Sequence, residues 1–260
     1  KANPDYWEGS PGVETVEIIA IVDANARVQA LQTGQIDMLG WSDMTGESRL
    51  LFENNSDYKM LRVETGAWTG MAFLTDVEPF TDARVRKALR IATDRQALID
   101  LILGPGNGTV ACDQPVWTGD QYWTPIDCPQ QIDEAKRLLA EAGYPDGIEF
   151  DINSSNIESY FIPLAEAYQQ QVAEAGIKAN IVVAPAEGYW SEVWLKLPTA
   201  QTRWGQNPAD KILNADFRST AAWNETRFND PDFDALLDQA GQEPDFEKRK
   251  ALYGQLQRII

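Results

Sequence analysis

The chain reads as an α/β fold with a mixed sheet. Two periodicities alternate along it, apolar residues at i, i+3, i+4 and i+7 in some segments and at every second position in others. The helical segments are bounded by capping side chains and terminal glycines, with no repeat, low-complexity tract or flexible linker between elements. The chain has 260 residues, 43% of them hydrophobic, enough for a real core in one large domain or two small ones.

Residues 1–65 read as turn, strand, helix, strand. Val16 to Val22 is apolar and extended, and a helix from about Asn25 closes at Gly34, a suitable C′ residue. Ile36 to Leu39 and Lys59 to Glu64 read as short strands. Pro79 to Arg95 opens two helices joined by a capped break. Thr81 or Asp82 can cap the first, with Val85, Ala88, Leu89 and Ala92 on its core face. Thr93 or Asp94 can cap the second, whose apolar side is Leu98, Leu101 and Ile102. A helix near Asp133–Ala142 turns Ala135, Leu138, Leu139 and Ala142 inward and closes at Gly143. Ile148 to Ile152 alternates as a strand. A helix near Ser159–Ala175 buries Leu164, Tyr168, Val172 and Ala175, with Pro163 tolerated in its first turn. Ile177, Ala179, Ile181 and Val183 alternate in a further strand, and Trp190, Val193, Trp194 and Leu197 make one helix face. Asp230-Pro231 starts a helix with Pro at N1, burying Phe233, Leu236, Leu237 and Ala240. Leu252, Leu256 and Ile259 continue in a last helical pattern.

Composition excludes several functions. The 40 acidic residues against 22 basic ones give a net charge of -18, opposed to nucleic-acid binding, which needs clustered cations on phosphates. The absence of histidine removes Ser-His-Asp and Cys-His catalysis and the common zinc sites. There is no P-loop, no G-x-G-x-x-G and no apolar run of membrane-spanning length. No cofactor is expected. Cys112 and Cys128 flank an irregular segment holding Pro115, Gly119 and Pro125. They read either as a disulfide closing that loop, the favoured reading, or as two unrelated buried thiols. Lys1 opens without a signal segment, and Ile260 stops within a helical pattern. The chain is therefore expected to be part of a longer protein.

Five segments, in order, resemble the extracellular solute-binding proteins of family 5, the dipeptide- and oligopeptide-binding group of ABC importers. They are Asn3-Pro4-Asp5-Tyr6-Trp7-Glu8-Gly9; Ala26-Arg27 through Ile36-Asp37; Pro79-Phe80-Thr81-Asp82 through Asp94-Arg95; Glu134-Ala135-Lys136 through Ala142-Gly143-Tyr144; and Asn229-Asp230-Pro231 through Leu236-Leu237. The resemblance implies a two-lobed periplasmic-binding-protein-like fold (type II, cluster C-like). Residues 1–65 would belong to the lobe that carries the termini, and 66–260 to the C-terminal lobe. It implies a periplasmic or extracellular protein, free or lipid-anchored, that captures a small solute and delivers it to permease subunits. The solute would be a peptide, an oligosaccharide or a modified amino acid.

Two stretches are candidate ligand contacts. Arg203-Trp204-Gly205-Gln206-Asn207 leaves a strand for a loop and combines an aromatic ring with polar side chains, as ligand sites do. In the family the corresponding W-x-x-D loop lines the interlobe cleft, and peptide binders use its aspartate to pair the ligand's α-amino group. Gln206 stands at that position, with Asp210 close by, so an ordinary peptide held by its amine is not expected. Trp223-Asn224 lies in a stretch resembling the family's S-x-x-x-N, also at the cleft, and offers stacking plus an amide. Arg218 and Arg227 read equally as carboxylate holders or as partners of surface acids, and Asn153 to Asn156 adds polar groups after a strand. Trp117, Tyr122 and Trp123 read equally as core cover or as a lip of the cleft, whereas Trp190 and Trp194 read as core. Leu74 departs from the asparagine the family often places there. A carbohydrate-active enzyme and a sensory or holdase module are the alternative functions. The first would need a placed carboxylate pair, which no motif supplies.

Overall fold

The computed structural model describes residues 2–40, 44 and 46–260. They form two compact units, Lys1–Met44 and Thr45–Ile260, so residues 46–65 pack with the second.

The first unit contains the expected turn, closed by the Gly9 N–H on the Tyr6 carbonyl, and one helix, α1 (Ala24–Gln32). Asp23 caps α1 by accepting from the Ala26 N–H, and Gly34 follows with a φ of 72°. The predicted strands at 16–22 and 36–39 are not formed. Val16 to Val22 is extended, but no strand among the described residues pairs with it. Ile18 stays 91% exposed, and Arg27 ties the end of the segment to α1 through the Ile21 and Val22 carbonyls. Alternation predicts an extended backbone; a ladder also needs a partner.

In the second unit, α2 (Gly46–Glu53) is followed by an extended stretch in which Leu61 and Val63 are exposed, again without a ladder. β1 (Trp68–Phe73) pairs antiparallel with β4 (Thr199–Trp204), setting Trp68 opposite Trp204. β2 (Ile148–Ser155) pairs parallel with β3 (Ile177–Ala184). Side chains join the two ribbons. The Asn153 amide donates to the Thr199 carbonyl (2.9 Å), and the Asn153 N–H donates to the Thr199 hydroxyl (3.2 Å).

Helices α3 (Ala83–Ile91), α5 (Ile132–Glu141) and α6 (Phe161–Ala173) cover β2 and β3, with Val85, Ala88, Leu89, Leu138, Leu139, Tyr168 and Val172 in one core. Asp82 and Asp94, rather than the threonines before them, cap α3 and α4 (Arg95–Leu103). Each such cap stabilises by about 1 kcal/mol. α4 is not the expected core helix. Its main neighbours are α6 and α2, and Leu98 and Ile102 are half-buried while Leu101 is exposed. The helix expected over 190–197 shrinks to α7 (Tyr189–Glu192), because Leu195 adopts a φ of 66° and the chain turns.

A second core joins α8 (Ala209–Ile212), the π-turn Leu213–Phe217, α9 (Pro231–Gln242) and α10 (Phe246–Ile259) through Ile212, Leu213, Phe233, Leu237 and Leu256. Tyr122 and Trp123 pack on it, which places them as core cover. A disulfide joins Cys112 and Cys128, with Cα atoms 5.5 Å apart.

Candidate functional site

The site is built where β4 ends. Strand alternation sends Thr202 and Trp204 to one face of the β1–β4 ribbon and Arg203 to the other. The register brings Trp68 beside Trp204, and the two indoles stack at 6.3 Å with 22° between their planes. Trp194 meets Trp204 edge-on at 6.4 Å, and Trp223 does so at 5.8 Å from the loop after the π-turn. Trp223 is 52% exposed, so one ring of this four-indole cluster faces solvent over a half-buried second ring. Of the expected contacts, Trp204 and Trp223 are brought together.

The other four are placed differently. Arg203 is ion-paired with the buried Glu158 at the start of α6, and its guanidinium lies over the Trp190 ring at 5.9 Å. Gln206 is exposed, and its side-chain oxygen accepts from the Gly66 N–H at 3.1 Å. Asn207 folds back onto the Gly205 carbonyl at 2.9 Å. Asn224 is buried, and its amide is consumed by its own loop. Its nitrogen donates to the Phe228 (2.7 Å) and Arg218 (3.3 Å) carbonyls, and its oxygen accepts from the Phe228 N–H (3.0 Å) and the Thr226 hydroxyl (3.4 Å). An amide makes at most four such bonds, so Asn224 shapes the loop that presents Trp223.

The remaining candidates are structural. Arg218 pairs with Asp238, and Arg227 with Asp76. Asp210 accepts from the Tyr253 hydroxyl (2.9 Å) and the Asn214 amide (3.2 Å). Asn153 joins the ribbons, and Leu74 is buried.

Sequence reasoning missed two acids. Glu225, 4% exposed, accepts from the Trp194 indole N–H and the Thr202 hydroxyl, each at 2.6 Å on the same oxygen. Asp216, 1% exposed on the π-turn, has no hydrogen-bond partner at either carboxyl oxygen. Burial pushes both carboxyls upward. For Asp216, the Glu225 charge adds to the effect and drives it well above the usual carboxylate range. Glu225 directly follows Asn224, but nothing in the sequence marks a glutamate there as buried.

Residues 1–225 match the family described as bacterial extracellular solute-binding proteins, family 5. The chain belongs to this family. It is 29% identical over its whole length to heme-binding protein A of Haemophilus influenzae, covering 49% of that protein. It is 28% identical over 98% of its length to the glutathione-binding protein GsiB of Salmonella choleraesuis, covering 52% of it. Among solved structures it resembles the periplasmic binding protein DppA of Helicobacter pylori in complex with peptide STSA. The TM-score is 0.85 at 23% identity, over 99% of this chain and 51% of that one. The chain thus spans about half the length of these relatives, and its α/β architecture is a portion of the two-lobed fold.

Proposed function

We propose that this chain supplies one wall of the solute site of an ABC-importer binding protein, with Trp204 and Trp223 as its aromatic surface. The observation that carries this reading is the exposed Trp223 ring set edge-on against Trp204 where a strand gives way to a loop. Aromatic faces supply large contact area at little entropic cost. Arg203, Gln206 and Asn207 form the polar border, and Asn224 acts by holding the loop.

The opposite wall lies in the remainder of the full-length protein. Residues 1–65 contribute to the lobe bearing the termini, with 46–65 packing as part of the second unit, and 66–260 form the other. The lobes close on the solute by hinge motion, and permease subunits read the closed form. The protein works in the periplasm or outside the cell, free or lipid-anchored.

The solute is neutral or anionic, a modified amino acid or an oligosaccharide rather than a peptide held by its amine. With the Gln206 oxygen turned to the Gly66 N–H, the amide NH2 is left to face a ligand oxygen. Asp210, the other acid of the loop, already has donors from two side chains. An enzymatic reading finds little support, since the paired carboxyls Asp216 and Glu225 are too buried to reach a substrate.

Thermal-shift screening of the full-length protein with sugars, opine-like compounds and short peptides should identify a stabilising solute that is bound and not turned over. Trp223→Ala should then weaken binding by about tenfold or more, by loss of a stacking face. Saturable turnover abolished by one Asp or Glu substitution, or undiminished affinity in Trp223→Ala, would overturn the reading.

A further inference from the structure

Asp216 and Glu225 are the least expected groups in the structure. Two carboxyls sit almost wholly buried in adjoining segments, and no ion pair among the described residues reaches either. The cations nearby in sequence are engaged elsewhere. Arg203 is paired with Glu158, Arg218 binds Asp238 and Asn214, Arg227 pairs with Asp76, and Lys211 is exposed. From α7 the titratable neighbour is Tyr189, whose hydroxyl donates to the Gln201 and Asn153 carbonyls and supplies no positive charge. Two buried like charges without a counter-ion are not sustainable, so the pair must hold a proton.

The geometry decides which acid keeps the charge. Glu225 takes two hydrogen bonds on one oxygen, and the Trp204 indole N–H faces the same carboxyl without closing a bond. At Asp216 the Glu225 backbone N–H faces the carboxyl without closing a bond, and neither oxygen has a hydrogen-bond partner, so Asp216, with the fewer donors, is the member that carries the proton.

These partners belong to the aromatic cluster. Glu225 is tied to Trp194 and Thr202, follows the loop staple Asn224, and lies two residues from Trp223. We propose that Asp216 and Glu225 share one proton at neutral pH, and that this proton seats the Trp223 loop against Trp204. The aromatic surface is then firm in mildly acidic surroundings and loosens as the proton leaves under alkaline ones. The proton site stands on the burial of both acids, the orphaned oxygens of Asp216 and the charge of Glu225 acting on it; its consequence for solute capture rests on Trp204 and Trp223 forming the solute wall.

The test needs no solute, so its failure is separable from failure of the proposed function. Infrared difference spectra of the full-length protein, wild type minus Asp216→Asn, should show a protonated-carboxyl band at neutral pH. Acrylamide quenching of tryptophan fluorescence, with Trp223→Phe to assign the signal, should rise with pH in the wild type and stay flat in Asp216→Asn. Across the same range the wild-type unfolding constant should increase by up to about tenfold per pH unit for one proton, relative to the variant. If Asp216→Asn fails to fold, the wild-type spectrum at neutral pH minus that at alkaline pH decides, by loss of the carboxylic-acid band as the proton leaves. Absence of the carboxylic-acid band at neutral pH, or wild-type curves that coincide with those of Asp216→Asn, would overturn the proposal.

Discussion

Replacing Asn224 by alanine separates a structural residue from a ligand contact. The amide closes the 218–228 loop with two short bonds to Phe228, at 2.7 and 3.0 Å, and two longer ones to Arg218 and Thr226. Alanine leaves the Phe228 carbonyl without its side-chain donor and the Phe228 N–H with only its longer bond to the Thr226 hydroxyl (3.3 Å). The stranded carbonyl costs about 1–3 kcal/mol, and the weakened N–H bond and the long bonds add up to about 1 kcal/mol. The expected loss is therefore about 1–4 kcal/mol. Asn224→Asp keeps an acceptor for the Phe228 N–H but turns its second oxygen on the Phe228 and Arg218 carbonyls and buries a charge beside Glu225, so it should cost at least as much as alanine. Urea unfolding of the full-length protein, followed by tryptophan fluorescence, reads the difference as a lower midpoint at unchanged slope. Solute affinity at saturating stability, in the cold and without urea, should fall less than in Trp223→Ala. A stability loss below about 0.5 kcal/mol, the scale of an ordinary surface substitution, together with abolished binding would refute the argument and return Asn224 to the ligand.

Three further expectations follow from the fold. Intact mass after alkylation should show no free thiol until reduction, and Cys112→Ser should cost about 3 kcal/mol by freeing the 16-residue loop in the unfolded chain; two thiols alkylated without reduction would oppose this. Gly147→Ala should cost about 3 kcal/mol or more, because φ is +93° and the added carbon would lie 1.9 Å from the Gly176 carbonyl oxygen at the start of the β2–β3 ladder; a variant as stable as wild type would disprove the close approach. Asp82 is held down to about 2 by hydrogen bonds from Arg84, so its contribution is present above its ordinary 3.8 and is lost as pH falls toward 2; Asp82→Asn should flatten that part of the acid-unfolding curve, and an unchanged curve would contradict the pairing.

Periodicity exposed what depends on neighbours along the chain. The α3, α5, α6 and α9 faces, and the aspartate caps of α3 and α9, follow from residues within one or two turns, and all are found close to where the spacing puts them. The extended segments at 16–22 and 59–64 were legible as backbone but not as strands, because pairing depends on a partner that the pattern does not name. The candidate site divides in the same way. An indole before a glycine at the end of a strand marks Trp204 as informative. Its stack on Trp68 is set by a register spanning 136 positions from Trp68 to Trp204, and local pattern carries nothing of that. Asn224 looked like an exposed amide because its four partners, all within six residues, are mostly backbone groups invisible as side-chain chemistry.

The charge at this site illustrates a wider point about reading ligand class from one position. On the proposed alignment, Gln206 stands at the loop rim where peptide-binding members carry an acid that meets solvent and ligand directly. The structure nevertheless keeps a carboxyl close to the same rings, at Glu225, where hydrogen bonds from Trp194 and Thr202 stabilise it from within. An exposed acid on the rim would be free to reorganise around an incoming ammonium. A buried one, already saturated at one oxygen and competing with Asp216 for a proton, would have to surrender those donors first. Such an exchange loses two hydrogen bonds to a charged group, about 1.5–3 kcal/mol each, before any ligand contact is made. On the proposed reading, the charge behind the rings fixes their geometry, and selection among solutes falls to ring stacking and the rim amides.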